Sequence, residues 1–264
     1  PVIVTDHHLP GDTLPAAEAI INPNLRDCNF PSKSLAGVGV AFYLMLALRT
    51  FLRDQGWFDE RGIAIPNLAE LLDLVALGTV ADVVPLDANN RILTWQGMSR
   101  IRAGKCRPGI KALLEVANRD PQKLAASDLG FALGPRLNAA GRLDDMSVGV
   151  ALLLCDNIGE ARVLANELDA LNQTRKEIEQ GMQVEALTLC EKLERSRDTL
   201  PGGLAMYHPE WHQGVVGILA SRIKERFHRP VIAFAPAGDG TLKGSGRSIQ
   251  GLHMRDALER LDTL

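Results

Sequence analysis

The chain opens on an apolar run, Pro1-Val2-Ile3-Val4-Thr5, which stops at Asp6-His7-His8 and turns through Pro10 and Gly11. Such a run predicts the end of a buried strand, with polar groups at its C-terminal edge. Open α/β sheets place their ligands at that edge. Apolar spacing from about Ser34 to Asp54 predicts a long helix, followed by a loop from Gly56 to Pro66 and a second helix through Leu77. The segment Gly78-Thr-Val-Ala-Asp-Val-Val-Pro85 is β-branched and closed by proline, so it reads as strand-like with Asp82 in its middle. Helices are expected near Asn90 to Gly104 and Gly109 to Val116.

Between Ile158 and Ser196, Leu164, Leu168, Leu171, Ile178, Met182, Ala186, Leu189 and Leu193 recur at helical spacing, which predicts one long amphipathic helix. Its charged remainder and the Pro201-Gly202-Gly203 breaker suggest a connector to a new domain; an ordinary packed helix within one domain is the other reading. Beyond it the pattern predicts strand (Leu204 to Tyr207), helix (Gln213 to Phe227), strand (Pro230 to Phe234), strand (Leu242 to Ile249) and a helix from His253. The fold class is therefore α/β. The expected division is a first domain over 1–157, the connector over 158–198 and a smaller α/β domain over 199–264. A start inside a strand without an initiator Met, and a stop at Leu264 without a capping signal, lead us to expect a piece of a longer protein.

Composition narrows the picture. With 264 residues, 46% of them hydrophobic, the chain can fill one large core or two. A net charge of −3 argues against uniform binding to nucleic acid, although residues 199–264 carry a slight basic excess. Arg100, Arg102, Lys105, Arg107, Lys111, Arg119 and Lys123 form a local basic cluster that reads either as a solvated helix face or as a phosphate track. Cys28, Cys106, Cys155 and Cys190 are far apart and form no C-x-x-C pair, so reduced thiols in a cytoplasmic protein are expected. No apolar stretch is long enough to suggest a membrane span.

The candidate chemistry begins at Asp6-His7-His8. Imidazole nitrogens beside a carboxylate suit Mn²⁺ or a similar divalent ion, but the tripeptide alone also fits polar residues facing water. Asp82, in its apolar segment, would need a cation or hydrogen bonds to offset its charge. Gly244-Ser-Gly246-Arg247-Ser248 could offer close backbone approach, a guanidinium fork and a hydroxyl to one phosphate, or could be only a turn. His212 and Gln213 fall where a helix is expected to begin, so free N–H groups there could hold an anion. The alternative is that Trp211 and His212 cover the end of the sheet.

Taken together, these motifs resemble the DHH phosphoesterase family. Val2-Ile-Val-Thr-Asp-His-His-Leu-Pro10 is similar to its third motif and Gly78-Thr-Val-Ala-Asp-Val-Val-Pro-Leu86 to its fourth. Leu35-Ala-Gly-Val-Gly-Val-Ala-Phe42 resembles its glycine-bearing helix start. Gly134-Pro-Arg-Leu-Asn-Ala-Ala-Gly-Arg142 is typical of the family's single-strand exonuclease branch, and His208 to Ile218 with Gly244 to Ser248 resemble its associated substrate-gripping domain. The resemblance implies that His7, Asp82 and His8 belong to a metal site for two Mn²⁺ or Mg²⁺ ions. His8 would contact the scissile phosphate or support the ligands from behind, and Asp6 would either ligate or, the favoured role, orient an imidazole. Arg136, Asn138 and Arg142 would line a cleft between lobes and contact the strand's backbone or terminal phosphate, and His212, Gly246, Arg247 and Ser248 would hold phosphate; for Asn138 to Gly141, tight helix packing by small residues stands beside that role.

The implied activity is 5′-to-3′ exonuclease digestion of single-stranded DNA in repair and recombination, by a monomer with a helicase or single-strand-binding protein as partner. The family's first two motifs, which bring further aspartates, are not in the chain. Weak metal binding and little hydrolysis are therefore expected of it alone. A family phosphatase for short oligonucleotides or nucleotides, and a non-catalytic strand-binding module, are the alternatives.

Overall fold

The computed structural model describes residues 1–197, 200–238 and 240–262. The expected boundary at Asp198 and Thr199 and the expected stop at Leu264 lie outside the described residues. The chain divides into two compact units, one of residues 1–138 and 146–169, the other of residues 139–145 and 170–264.

In the first unit, β1 (Ile3–Thr5) pairs in parallel with β2 (Ala19–Ile21), Val4 opposite Ile20. Helix α1 (Gly37–Asp54) follows, then the short α2 (Trp57–Arg61), which the sequence pattern misses because it is one turn bracketed by Gly56 and Gly62, both at positive φ. Next come α3 (Leu72–Ala81), α4 (Ala88–Arg102) and α5 (Pro108–Val116). The short α6 (Ala126–Asp128) runs into a π-helical turn over Leu129–Leu133, and the unit also holds α8 (Ser147–Leu154).

The strand-like reading of Gly78 to Pro85 is corrected by the structure: Gly78 to Ala81 are the last turn of α3 and Asp82 is its C-cap. Helix packing overrides the β-branched composition there. A side chain at Gly78 would meet Val38 of α1 at 2.7 Å, and one at Gly97 of α4 would meet the Leu72 carbonyl oxygen at 2.0 Å. Only glycine lets these helices approach so closely. Leu35, Val40, Phe42, Val75 and Leu93 are buried together at this junction.

Helix α7 (Gly134–Leu143) and the forty-residue α9 (Ile158–Arg197) each contain a boundary between the units. Along α9, over 158–194, the buried positions are Ala161, Ala165, Leu168, Asn172, Met182, Ala186 and Cys190, recurring every three or four residues except between Asn172 and Met182. In the second unit, β3 (Leu204–Tyr207), β4 (Val231–Pro236) and β5 (Leu242–Arg247) form a sheet in that order, β3 parallel and β5 antiparallel to β4. Helix α10 (Val216–Phe227) packs on this sheet, and α11 (Met254–Asp262) closes the described chain. Trp211, Val216, Leu219, Ile223, Val231 and Ala233 fill the core with Met182 and Ala186 of α9.

The structure is thus mixed α/β with parallel strand pairs and one long helix. All four cysteines are free thiols. Among the described residues no helix is long and apolar enough to cross a membrane.

Candidate functional site

At the end of β1 the Asp6 N–H still donates to the Ile21 carbonyl, and the chain then leaves the sheet. The Asp6 Oδ1 atom accepts from the backbone N–H groups of His7 at 2.7 Å and His8 at 3.2 Å, and lies 2.8 Å from His8 Nδ1. An ionised carboxylate only accepts, so His8 Nδ1 carries the hydrogen of this bond and Nε2 is left without it. The bond to His8 holds the Asp6 carboxyl below its usual range, against an opposing push from burial.

Two asparagines fix the histidine backbone. Asn22 Nδ2 donates to the His8 carbonyl at 2.8 Å and Asn24 Nδ2 to the His7 carbonyl at 2.7 Å. Reasoning from the sequence missed both. The signal was Asn22-Pro23-Asn24 directly after the second apolar run, a pattern that reads as a turn.

His7 is 17% exposed, and its Nε2 lies 3.3 Å from Asp82 Oδ2. Gly37, the first residue of α1, sits 3.5 Å from the imidazole carbon Cδ2 by its would-be Cβ. Asp82 itself is 42% exposed, so the expected desolvation cost does not arise; its place at a helix end, not in a strand, is the reason. The His7 and His8 rings are 4.4 Å apart between centroids, with His8 turned to Asp6. An imidazole and a carboxylate suit Mn²⁺ or Mg²⁺ in kind, but among the described residues no three His, Cys, Asp or Glu side chains converge on one point. The donor set present is partial.

Arg136 Nε donates to Asp169 at 2.7 Å and its Nη1 to the Ala132 carbonyl, while Asn138 is exposed. Of the basic cluster, Arg102 donates to the Leu124 carbonyl, Arg107 to Asp73 and the Leu153 carbonyl, and Arg119 pairs with Asp128. These three cations are tied into the fold.

In the second unit, Arg142 Nη1 donates to the Gly214 carbonyl at 3.2 Å. Burial lowers the Arg142 pKa, and the charges of Arg175 and Arg247 add to this against Glu179. Arg175, missed in the sequence as part of a polar helix face, donates to Glu179, as does Arg222. Arg247 is held by Ser221 and Ser245 hydroxyls, both at 3.0 Å.

Gly244 and Gly246 lie in β5, where side chains would meet Phe234 at 2.6 Å and Met254 at 3.3 Å, so packing accounts for both glycines. The Ser248 hydroxyl donates to the Leu252 carbonyl. His212 does not begin a helix: α10 starts at Val216, and His212 Nδ1 instead accepts from the Gly214 N–H in the preceding turn. Its neighbour Trp211 is buried and donates to Glu185.

Residues 1–79 match the family described as "DHH family, N-terminal domain" and residues 201–264 match "DHHA1 domain". All 264 residues align at 99% identity with the "Single-stranded-DNA-specific exonuclease RecJ" of Escherichia coli K12, covering 46% of that protein. The chain thus spans about half the length of these curated relatives. Two solved structures of RecJ from Thermus thermophilus, in complex with Mn²⁺ and with Mg²⁺, superpose with TM-scores of 0.78 and 0.76. Each is 35% identical, over 99% of this chain and 36% of its own.

Proposed function

We propose, on the premise that this chain belongs to the DHH family, that it forms part of a metal-dependent exonuclease that hydrolyses single-stranded DNA from the 5′ end. The observation that carries the reading is the 3.3 Å approach of His7 to Asp82, brought together from distant parts of the sequence. His7 and Asp82 would hold Mn²⁺ or Mg²⁺, the ions named for the Thermus relatives. Such an ion, when bound, lowers the pKa of water and offsets phosphate charge.

The chain's own residues do the rest. Asp6 fixes the His8 ring so that its Nε2 can meet a phosphate oxygen when protonated. Arg142, Arg175 and Arg247 would hold backbone phosphates independently of base identity, with affinity that falls as salt rises. Arg136, Asn138, His212, Gly246 and Ser248 remain proposed strand contacts; those bonded within the fold would act by shaping the surface. The cellular setting we propose is cytoplasmic DNA repair and recombination, by a monomer working with a helicase or single-strand-binding protein.

A hard divalent ion takes about six ligands, and the pair His7 and Asp82 supplies two among the described residues. The missing donors would come from the part of the full-length relatives that it does not cover. By itself the chain would act as a strand-binding module, a second reading favoured by the absence of a third ligand among the described residues. Mn²⁺-dependent digestion of 5′-labelled single-stranded DNA, compared between this chain and the full-length Escherichia coli relative, tests both. Equal rates would overturn the claim of a partial site. Full activity after His7→Ala in the longer protein would overturn the site itself.

A further inference from the structure

Three large apolar side chains are the most exposed among the described residues: Phe131 at 86%, Val83 at 85% and Leu9 at 76%. They are not scattered. Leu9 follows His8, and Val83 follows Asp82, so two of them flank the pair that meets at 3.3 Å. Phe131 lies on the π-helical turn, and that turn packs against the same end of α3: side chains at Gly130 and Gly134 would meet Val80 and Ala81, each at 3.2 Å. All of these residues belong to one compact unit.

The turn is firmly seated, since Leu129, Ala132 and Leu133 are buried. A seated turn normally points polar groups outward. Here it points a phenyl ring into water, although burying such a side chain stabilises by roughly 1.5–3 kcal/mol. One extra residue per turn re-aims side chains in a π-helix, and such turns recur at functional sites.

We propose that Phe131 is a stacking platform for an unpaired nucleobase, with Val83 and Leu9 as its apolar rim. The inference rests on the nuclease reading, which puts a phosphodiester at His7 and Asp82. A base is joined through one sugar to such a phosphate, so its face would fall near His7 and Asp82, close along the chain to Leu9 and Val83 and at the end of α3 on which the π-helical turn packs. Stacking suits any base, because each has a π-face, and it excludes bases already paired in a duplex.

The test uses a full-length protein carrying this chain, metal-free, and fluorescence anisotropy with a short 3′-labelled single-stranded oligonucleotide. Phe131→Ala should weaken binding by on the order of tenfold. Phe131→Leu should weaken it similarly, and Phe131→Tyr should bind as the parent does. In strands carrying one abasic site at successive positions, one position should weaken the parent by the same factor and make it indistinguishable from Phe131→Ala. Parent-like binding by the Leu variant, or a loss from Phe131→Ala that no abasic position removes, would overturn the proposal. So would a lowered thermal midpoint in both the Ala and Tyr variants, which would show the ring buried against protein. A parent that neither binds nor digests single strands would instead sink the nuclease reading itself.

Discussion

Arg107 donates to the buried carboxylate of Asp73 twice, through its backbone N–H at 3.0 Å and through Nε at 3.2 Å. Asp73 is 1% exposed and also accepts from the Leu74 N–H, so it ties α3 to the start of α5. Removing one partner of a buried pair costs about 3–5 kcal/mol, because the other is left without compensation. Asp73→Ala should lower the urea midpoint accordingly, and far more than Arg53→Ala, whose partner Asp54 is exposed.

On the proposed reading Asp6 acts through His8, whose ring it holds at 2.8 Å. In a full-length protein, Asp6→Asn should lower single-strand hydrolysis by about 10–100-fold while leaving folding intact, since it removes an orienting bond at an exposed site. Asp82→Asn should cost at least as much and shift the Mn²⁺ requirement to higher concentration. Calorimetric titration with Mn²⁺ beside turnover checks both. Unchanged metal affinity in Asp82→Asn would count against the pair as ligands.

Asp87 gives the fold an acid-sensitive joint. It caps α4 by accepting from the Asn90 N–H at 2.9 Å, and it accepts from the Ser32 hydroxyl at 2.7 Å. Burial pushes its pKa up, but these hydrogen bonds outweigh burial and hold it below 3.8. A lowered folded value means that the stabilisation is present above pH 3.8 and is lost as pH falls through the folded value. Asp87→Ala should cost about 1 kcal/mol near neutral pH and flatten the acid limb of stability against pH.

Val83 follows the end of α3 with φ of +59°, a conformation that β-branched residues rarely adopt. Asn118 and His228 share such angles but are residue types that tolerate them better. Relief of about 1–2 kcal/mol of backbone strain exceeds the roughly 0.5–1 kcal/mol of extra chain entropy that glycine brings. Val83→Gly should therefore raise stability by up to about 1 kcal/mol, read as a higher thermal midpoint; a lower midpoint would show that the strain is absent.

Much of this fold is legible in the sequence. Helices α1, α4, α5 and α9 follow from apolar spacing, and the alternation in β3 and β4 marks strands. Thr79, Val80, Val83 and Val84 mislead, because local composition favours a strand while Gly78 and Gly97 permit a helix crossing that no local pattern reports. His7 stands just past the end of β1, as the apolar run indicates, whereas Asp82, which composition puts inside a strand, is the C-cap of α3. Arg107 is not legible, since nothing in its neighbours reveals the carboxylate it meets thirty-four positions away. Asn22 and Asn24 are hidden for the same reason: their partners are carbonyls, which carry no side-chain signature.

Those two amides also decouple the imidazoles from the loop that follows them. The carbonyls of His7 and His8 are anchored to Asn22 and Asn24, and the Glu18 N–H is anchored to the Val2 carbonyl. The stretch between Leu9 and Ala17 is therefore a hoop pinned at both ends. Such a hoop can be lengthened or rewritten over generations while the two imidazoles keep their aim, so variation beside them has a place to accumulate.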